Sequence, residues 1–331
     1  MASAAVGSQI APSLAELLSQ TIDYAGLFPP AKLPMEPAIQ NYASYRPSAD
    51  AWMLARFVVQ AQKLPELAAI GDSYFSVGPP FQFSLLGQSG ATREEYLDNL
   101  SSDLNCVNAF RNQFGSRVET DVFEIRLPND VLSSDVSVAQ LSEFLKTVSM
   151  NVESQIGSSA VLFHEVPLAG KDFRAILEKV AAAAAAVPAQ NATALKIRTG
   201  GLEAAAFPSS EKLAAWIAIC ARHNVSWKAT AGLHHPVRRF DKTVNAKMYG
   251  FLNVIGAAVI EQVHKLDESK LQAILEDELP ESFTFDGDLF CWRAYCADKN
   301  QIAAARKRFA VSFGSCSFDE PRDDLRELGY L

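Results

Sequence analysis

The chain has 331 residues, 49% of them hydrophobic, enough for one large core or two modest ones, which excludes disorder as a description of the whole. Thirty Lys+Arg against 38 Asp+Glu leave a formal net charge of -8, which argues against nucleic acid as a partner, because a phosphate backbone attracts concentrated positive charge. Five scattered cysteines (Cys106, Cys220, Cys291, Cys296, Cys316) show no C-x-x-C spacing, so neither a disulfide framework nor a zinc ribbon is expected, and a reducing, cytoplasmic compartment fits best.

Residues 1–20 read as a small-residue-rich tail running into a helix, without the basic start and apolar run of a signal peptide. No segment reaches the ~20 uninterrupted apolar residues of a membrane span; the alanine tract at 180–189 reads as the end of a helix. From residue 21 onward, short apolar or alternating runs recur with helical periodicity between them. The candidate strands are 21–28, 51–59, 81–87, 121–128, 159–167, 193–201, 225–233 and 249–258. Among the helices, Thr92 opens an acid-rich first turn followed by Leu97, Leu100, Leu104, Val107 and Phe110, and Pro208-Ser209-Ser210 precede a segment with Leu213, Trp216, Ile217 and Cys220 on one face.

Eight strands alternating with helices predict an α/β fold, a (β/α)8 TIM barrel over 21–260, with 261–331 as a helical C-terminal extension packed on it. The competing doubly wound sheet usually carries a glycine-rich phosphate turn after its first strand, where this chain has AGLFPP. In a barrel, chemistry belongs at the C-terminal strand ends. Those ends offer Asp23, Arg56, Glu124 and Arg126, His164 or Glu165, Lys196 and Arg198, Lys228, and Asn253. Because side chains alternate along a strand, Lys196 and Arg198 share a face, and two lysines on adjacent strands look inward together. Burying ammonium groups is costly, so the pair needs a reason. One reason is catalytic: desolvation and a neighbouring cation lower one amine's pKa until it attacks a carbonyl and forms a Schiff base. The other is structural, with the lysines paired to Glu124 and Glu165.

The arrangement resembles the deoxyribose-phosphate aldolase type of Schiff-base aldolase. Lys196-Ile197-Arg198-Thr199-Gly200 is similar to that family's K-x-x-T-G segment, and Lys228-Ala229-Thr230-Ala231-Gly232 to its K-x-A-G-G segment, with Ala-Gly one residue later. Ile22-Asp23, Arg56-Phe57 and Asp121-Val122-Phe123-Glu124 resemble its motifs on strands one, two and four. The resemblance implies a lyase without a cofactor. In it Lys196 forms the imine, Lys228 tunes its pKa, and Glu124 with Asp23 moves protons. Thr199, Gly200, Gly201 and Gly232 are then expected to offer backbone amides to the substrate, with His234, His235, Asn253 and Glu165 around it, while Arg56, Arg126 and Arg198 suit a carboxylate. The implied partner is a small carbonyl compound; no membrane partner is expected, and self-association is left open.

Two rival readings remain at this point. His164, His234 and His235 with Glu165 suggest a metal-dependent hydrolase or lyase, although His164 and Glu165, being adjacent, point opposite ways in a regular strand. Alternatively, the barrel binds a ligand without catalysis.

Overall fold

The computed structural model describes residues 10–75, 78–157, 160–168, 172–188 and 193–331; the tail expected before residue 10 lies outside them. Strands β1 (Ile22–Tyr24), β2 (Leu54–Gln60), β3 (Phe81–Leu86), β4 (Val118–Arg126), β5 (Val161–Glu165), β6 (Thr193–Arg198) and β7 (Trp227–Thr230) fall on the first seven expected runs. Then come a two-stranded ribbon, β8 (Arg239–Asp241) with β9 (Ala246–Met248), and a three-stranded meander of β10 (Phe283–Asp286), β11 (Leu289–Trp292) and β12 (Tyr295–Asp298). The last strand, β13 (Ala310–Ser315), enters between β7 and β1 and closes a parallel barrel in the order β1-β13-β7-β6-β5-β4-β3-β2.

Helices α1 (Pro12–Leu18) and α2 (Met35–Tyr45) flank β1, and α3 (Leu64–Ile70), α4 (Arg93–Phe114), α5 (Asn129–Leu132) with α6 (Val138–Ile156), α7 (Phe173–Ala185) and α8 (Ser210–Arg222) follow β2 to β6 in turn. Between β7 and β13 lie α9 (Phe251–His264), α10 (Glu268–Glu276) and α11 (Lys299–Arg308), and α12 (Asp319–Glu327) follows β13. The (β/α)8 class therefore holds, with further helices toward the C-terminus.

One strand was expected in the wrong place. Residues 249–258 belong mostly to α9, not to an eighth strand, and the segment placed in the extension supplies the closing strand, so residue 260 does not divide barrel from extension. The physical reason is that every residue from Phe251 to Glu261 is buried. A segment covered on all sides shows neither helical nor strand periodicity, and an apolar run alone does not distinguish the two. The true strand, AVSFGS, hides behind two serines and a glycine.

The helix starts read from sequence are capped as expected. The Thr92 side chain accepts from the Glu95 amide, and Ser209 from that of Lys212, each a contribution of about 1 kcal/mol. Trp216 packs edge-on against Trp227, which in turn meets Phe309, in the apolar layer between strands and helices. Inside the barrel a separate small cluster of Val122, Phe163 and Ala194 plugs the N-terminal half. Two residues further along the same inward faces stand Glu124, Glu165 and Lys196, so an apolar floor carries a charged layer. Cys291 and Cys296 face each other across β11 and β12 and form a disulfide, a bridge that the expectation of no disulfide framework did not foresee.

Candidate active site

Neighbouring strands set the charged layer side by side. The register pairs Arg126 with Glu165, Glu165 with Lys196, and Lys196 with Lys228. The side chains form one chain of alternating sign. Asp23 Oδ2 accepts from Lys228 Nζ at 2.6 Å, Lys228 Nζ also donates to Glu124 Oε1 at 2.6 Å, and Lys196 Nζ bridges Glu124 Oε2 at 2.9 Å and Glu165 Oε2 at 3.0 Å. Both lysine side chains are almost wholly buried, and Glu165, at 11% exposed, is the member nearest solvent. The chain holds three carboxylates and two ammonium groups.

Two hydroxyls complete it, neither foreseen from the sequence. Ser84 on β3 donates to Glu124 Oε1, and Ser312 on β13 donates to Asp23 Oδ2 at 2.6 Å. A serine interrupting the apolar FQFSLLG run was a readable signal for Ser84, whereas Ser312 was out of reach while its strand went unrecognised. Asp23 Oδ1 accepts from the Arg56 amide at 3.1 Å, which fixes β1 against β2 at this height. The Phe163 ring lies 5.5 Å from Lys228 Nζ, a cation–π contact from the floor.

The electrostatics differ from the sequence expectation in one respect. Burial pulls the Lys196 amine downward, but Glu124 and Glu165 together more than offset it and raise the amine above its ordinary value. Lys196 therefore rests as an ammonium ion, not as a pre-formed free amine. The reason is that Glu124 stands between the two lysines, so each meets carboxylate before it meets the other cation. Burial likewise pushes Glu124 upward, but Lys196 and Lys228, with hydrogen bonds from Lys228 and Ser84, hold it well below the usual carboxylate range.

Other expected site residues fall into two groups. Arg126 and Arg198 are exposed at the C-terminal rim, and their guanidinium groups have no hydrogen-bond or ion-pair partner among the described residues. Thr199 is fully buried; its hydroxyl donates to the Ala231 carbonyl at 2.6 Å and so ties the loop after β6 to the loop after β7. Gly200 and Gly232 serve the same closure: a Cβ on Gly200 would lie 2.8 Å from the Gly232 Cα, and Gly232 has a φ of +77°. Gly201 is half-buried beside them, where a Cβ would meet Ala206. The glycines of these segments let two backbones touch.

Three placements are corrected. The Arg56 guanidinium is committed to Asp121 through two hydrogen bonds of 2.9 and 2.6 Å, and it lines a cavity of about 440 Å³ at the N-terminal end of the barrel with Val122, Val161 and Phe163, away from the rim. Asn253 lies on α9, where its amide bridges the Arg238 amide and the carbonyls of Ile274 and Asp277, a purely internal junction. His164 faces the helices because Phe163 and Glu165 face inward; both ring nitrogens lack partners among the described residues, and burial lowers its pKa to about 3. His234 and His235 pair with Glu320 at 3.0 Å and Asp324 at 2.6 Å on α12. The rings of His234 and His235 lie 6.4 Å apart, but His164, turned to the helices, does not join them, and among the described residues no group of three His, Cys, Asp or Glu is placed to hold a metal ion.

A scan against protein-family models and a search of curated proteins returned no match to this chain. Among the described residues no helix is long and apolar enough to cross a membrane.

Proposed function

We propose that the protein is an aldolase-type lyase that joins Lys196 to a small aldehyde or keto compound as a Schiff base. The observation that carries this reading is the pairing of Lys196 with Lys228 at one register on adjacent strands, buried inside the barrel and bridged by a single carboxylate, Glu124. A purely structural ion-pair network rarely repays the desolvation of so many charges, and a carboxylate as perturbed as Glu124 is more often found at a functional site.

Lys196 is the nucleophile in this reading because its amine adjoins Glu165, the most exposed member of the chain, whereas Lys228 sits deeper, held by Asp23 and Glu124 over the Phe163 ring. Lys228, the deeper cation, stabilises negative charge that develops on the reacting oxygen. Arg126 and Arg198, unpaired at the rim and on the same inward-facing alternation as Glu124 and Lys196, suit a carboxylate or phosphate carried by the substrate. The test is borohydride reduction with pyruvate, propanal or glycolaldehyde phosphate, followed by peptide mass mapping. A reduced adduct on the peptide bearing Lys196 supports the reading; adducts confined to surface lysines, or none, refute it.

A further inference from the structure

Of the three carboxylates in the charged chain, two are saturated. Glu124 Oε1 takes Lys228 and Ser84 while Oε2 takes Lys196, and Asp23 takes Lys228, Ser312 and the Arg56 amide. Both are wholly buried, and the cations around Glu124 make it a poor proton acceptor. Glu165 differs on each count. Only its Oε2 is engaged, by Lys196; its Oε1 has no partner among the described residues and is not enclosed. By register Arg126 stands beside Glu165, yet no ion pair joins them, so the carboxylate is turned to the lysine and its free oxygen remains available to a substrate held there.

We infer that Glu165 is the acid–base residue of the imine chemistry, a role the sequence resemblance assigns to Glu124 with Asp23. This inference rests on the Schiff-base reading and names the proton carrier within it. Glu165 takes a proton from the Lys196 ammonium. The freed lone pair forms the N–C bond to the substrate carbonyl carbon, whose π electrons move to oxygen, and a proton passes from nitrogen to that oxygen to give a neutral carbinolamine. The protonated Glu165 then gives its proton to the hydroxyl, the C–O bond breaks, water leaves, and the nitrogen lone pair closes the C=N bond as a cationic imine. Glu165, again a carboxylate, next removes a proton from the adjacent carbon, whose electrons run through C=C to nitrogen as an enamine. Glu124 holds Lys196 and Lys228 at their spacing throughout and carries no proton.

Pyruvate serves as the probe in heavy water, with two readouts: borohydride-trapped adduct on Lys196, and exchange of the methyl protons followed by nuclear magnetic resonance. The Glu165→Gln variant is expected to lose 100-fold or more of the exchange rate, a typical loss for a positioned acid or base, while still giving adduct on long incubation. Glu165→Asp, which keeps the carboxylate, is expected to restore part of the exchange and guards against a variant that merely misfolds. Exchange in Glu165→Gln within a few-fold of the parent overturns the inference while leaving the Schiff-base reading intact. Absence of adduct in the parent protein overturns both.

Discussion

Replacing Lys196 with methionine removes the ammonium and keeps most of the side-chain volume. Taken alone, a buried lysine suggests that its removal relieves desolvation and leaves the fold little changed. The structure reverses that expectation, because the same ammonium is a neighbour of both Glu124 and Glu165. At 2.9 and 3.0 Å, each attraction amounts to about 6 kcal/mol at an effective dielectric constant of ~20. Desolvation of the charged groups offsets most of this, and breaking a buried pair from one side typically costs about 3 to 5 kcal/mol. Lys196→Met is therefore expected to lose about that much stability at pH 7 in urea or guanidinium denaturation. Adding Glu165→Gln, which removes the stranded charge, should recover a substantial part, with a coupling of about 1 to 3 kcal/mol between the two sites. A loss below about 1 kcal/mol in the single variant, or strict additivity in the double, would refute the alternating charge chain.

Acid sensitivity should trace to His164. Its pKa in the fold is about 3 against an ordinary 6.5, so the folded state stays neutral while the unfolded chain takes up a proton, and stability falls as pH drops from about 6.5 toward 3. The expected contribution between pH 7.5 and 5 is a loss of about 2 kcal/mol, above the range where Glu124 adds its own acid lability, and His164→Leu should abolish it in denaturation curves at the two pH values. Asn253→Ala strands a buried amide and two carbonyls and should cost about 3 kcal/mol with kcat unchanged; a large fall in kcat at full folding would return Asn253 to the active site. Arg126→Ala and Arg198→Ala should each raise KM for an anionic carbonyl substrate about 10-fold or more and leave a neutral aldehyde unaffected, as steady-state kinetics on the two substrate classes would reveal.

Much of the barrel was legible in the chain because its first seven strands are short, bounded by turns, and separated by helices whose caps and apolar faces follow local rules. The inward direction of Lys196 and Lys228 was legible for the same reason, since alternation along a strand is a local property. Asn253 and Arg56 went astray on different grounds: one sits in a fully buried helix that carries no periodic signature, and the other faces inward as expected but at a height set by strand stagger.

Sequence by itself determined the alternation of strands and helices and the two inward lysines. Tertiary structure alone decided which strand closes the barrel and which charges meet within it. Closure joins β13 to β1, residues nearly the whole chain apart, and brings Ser312 to Asp23. Glu124 comes from a strand more than a hundred residues before Lys228. Whether an ammonium in a barrel is a free amine or a held cation depends on such distant neighbours, because Coulomb interactions act through space and not along the chain.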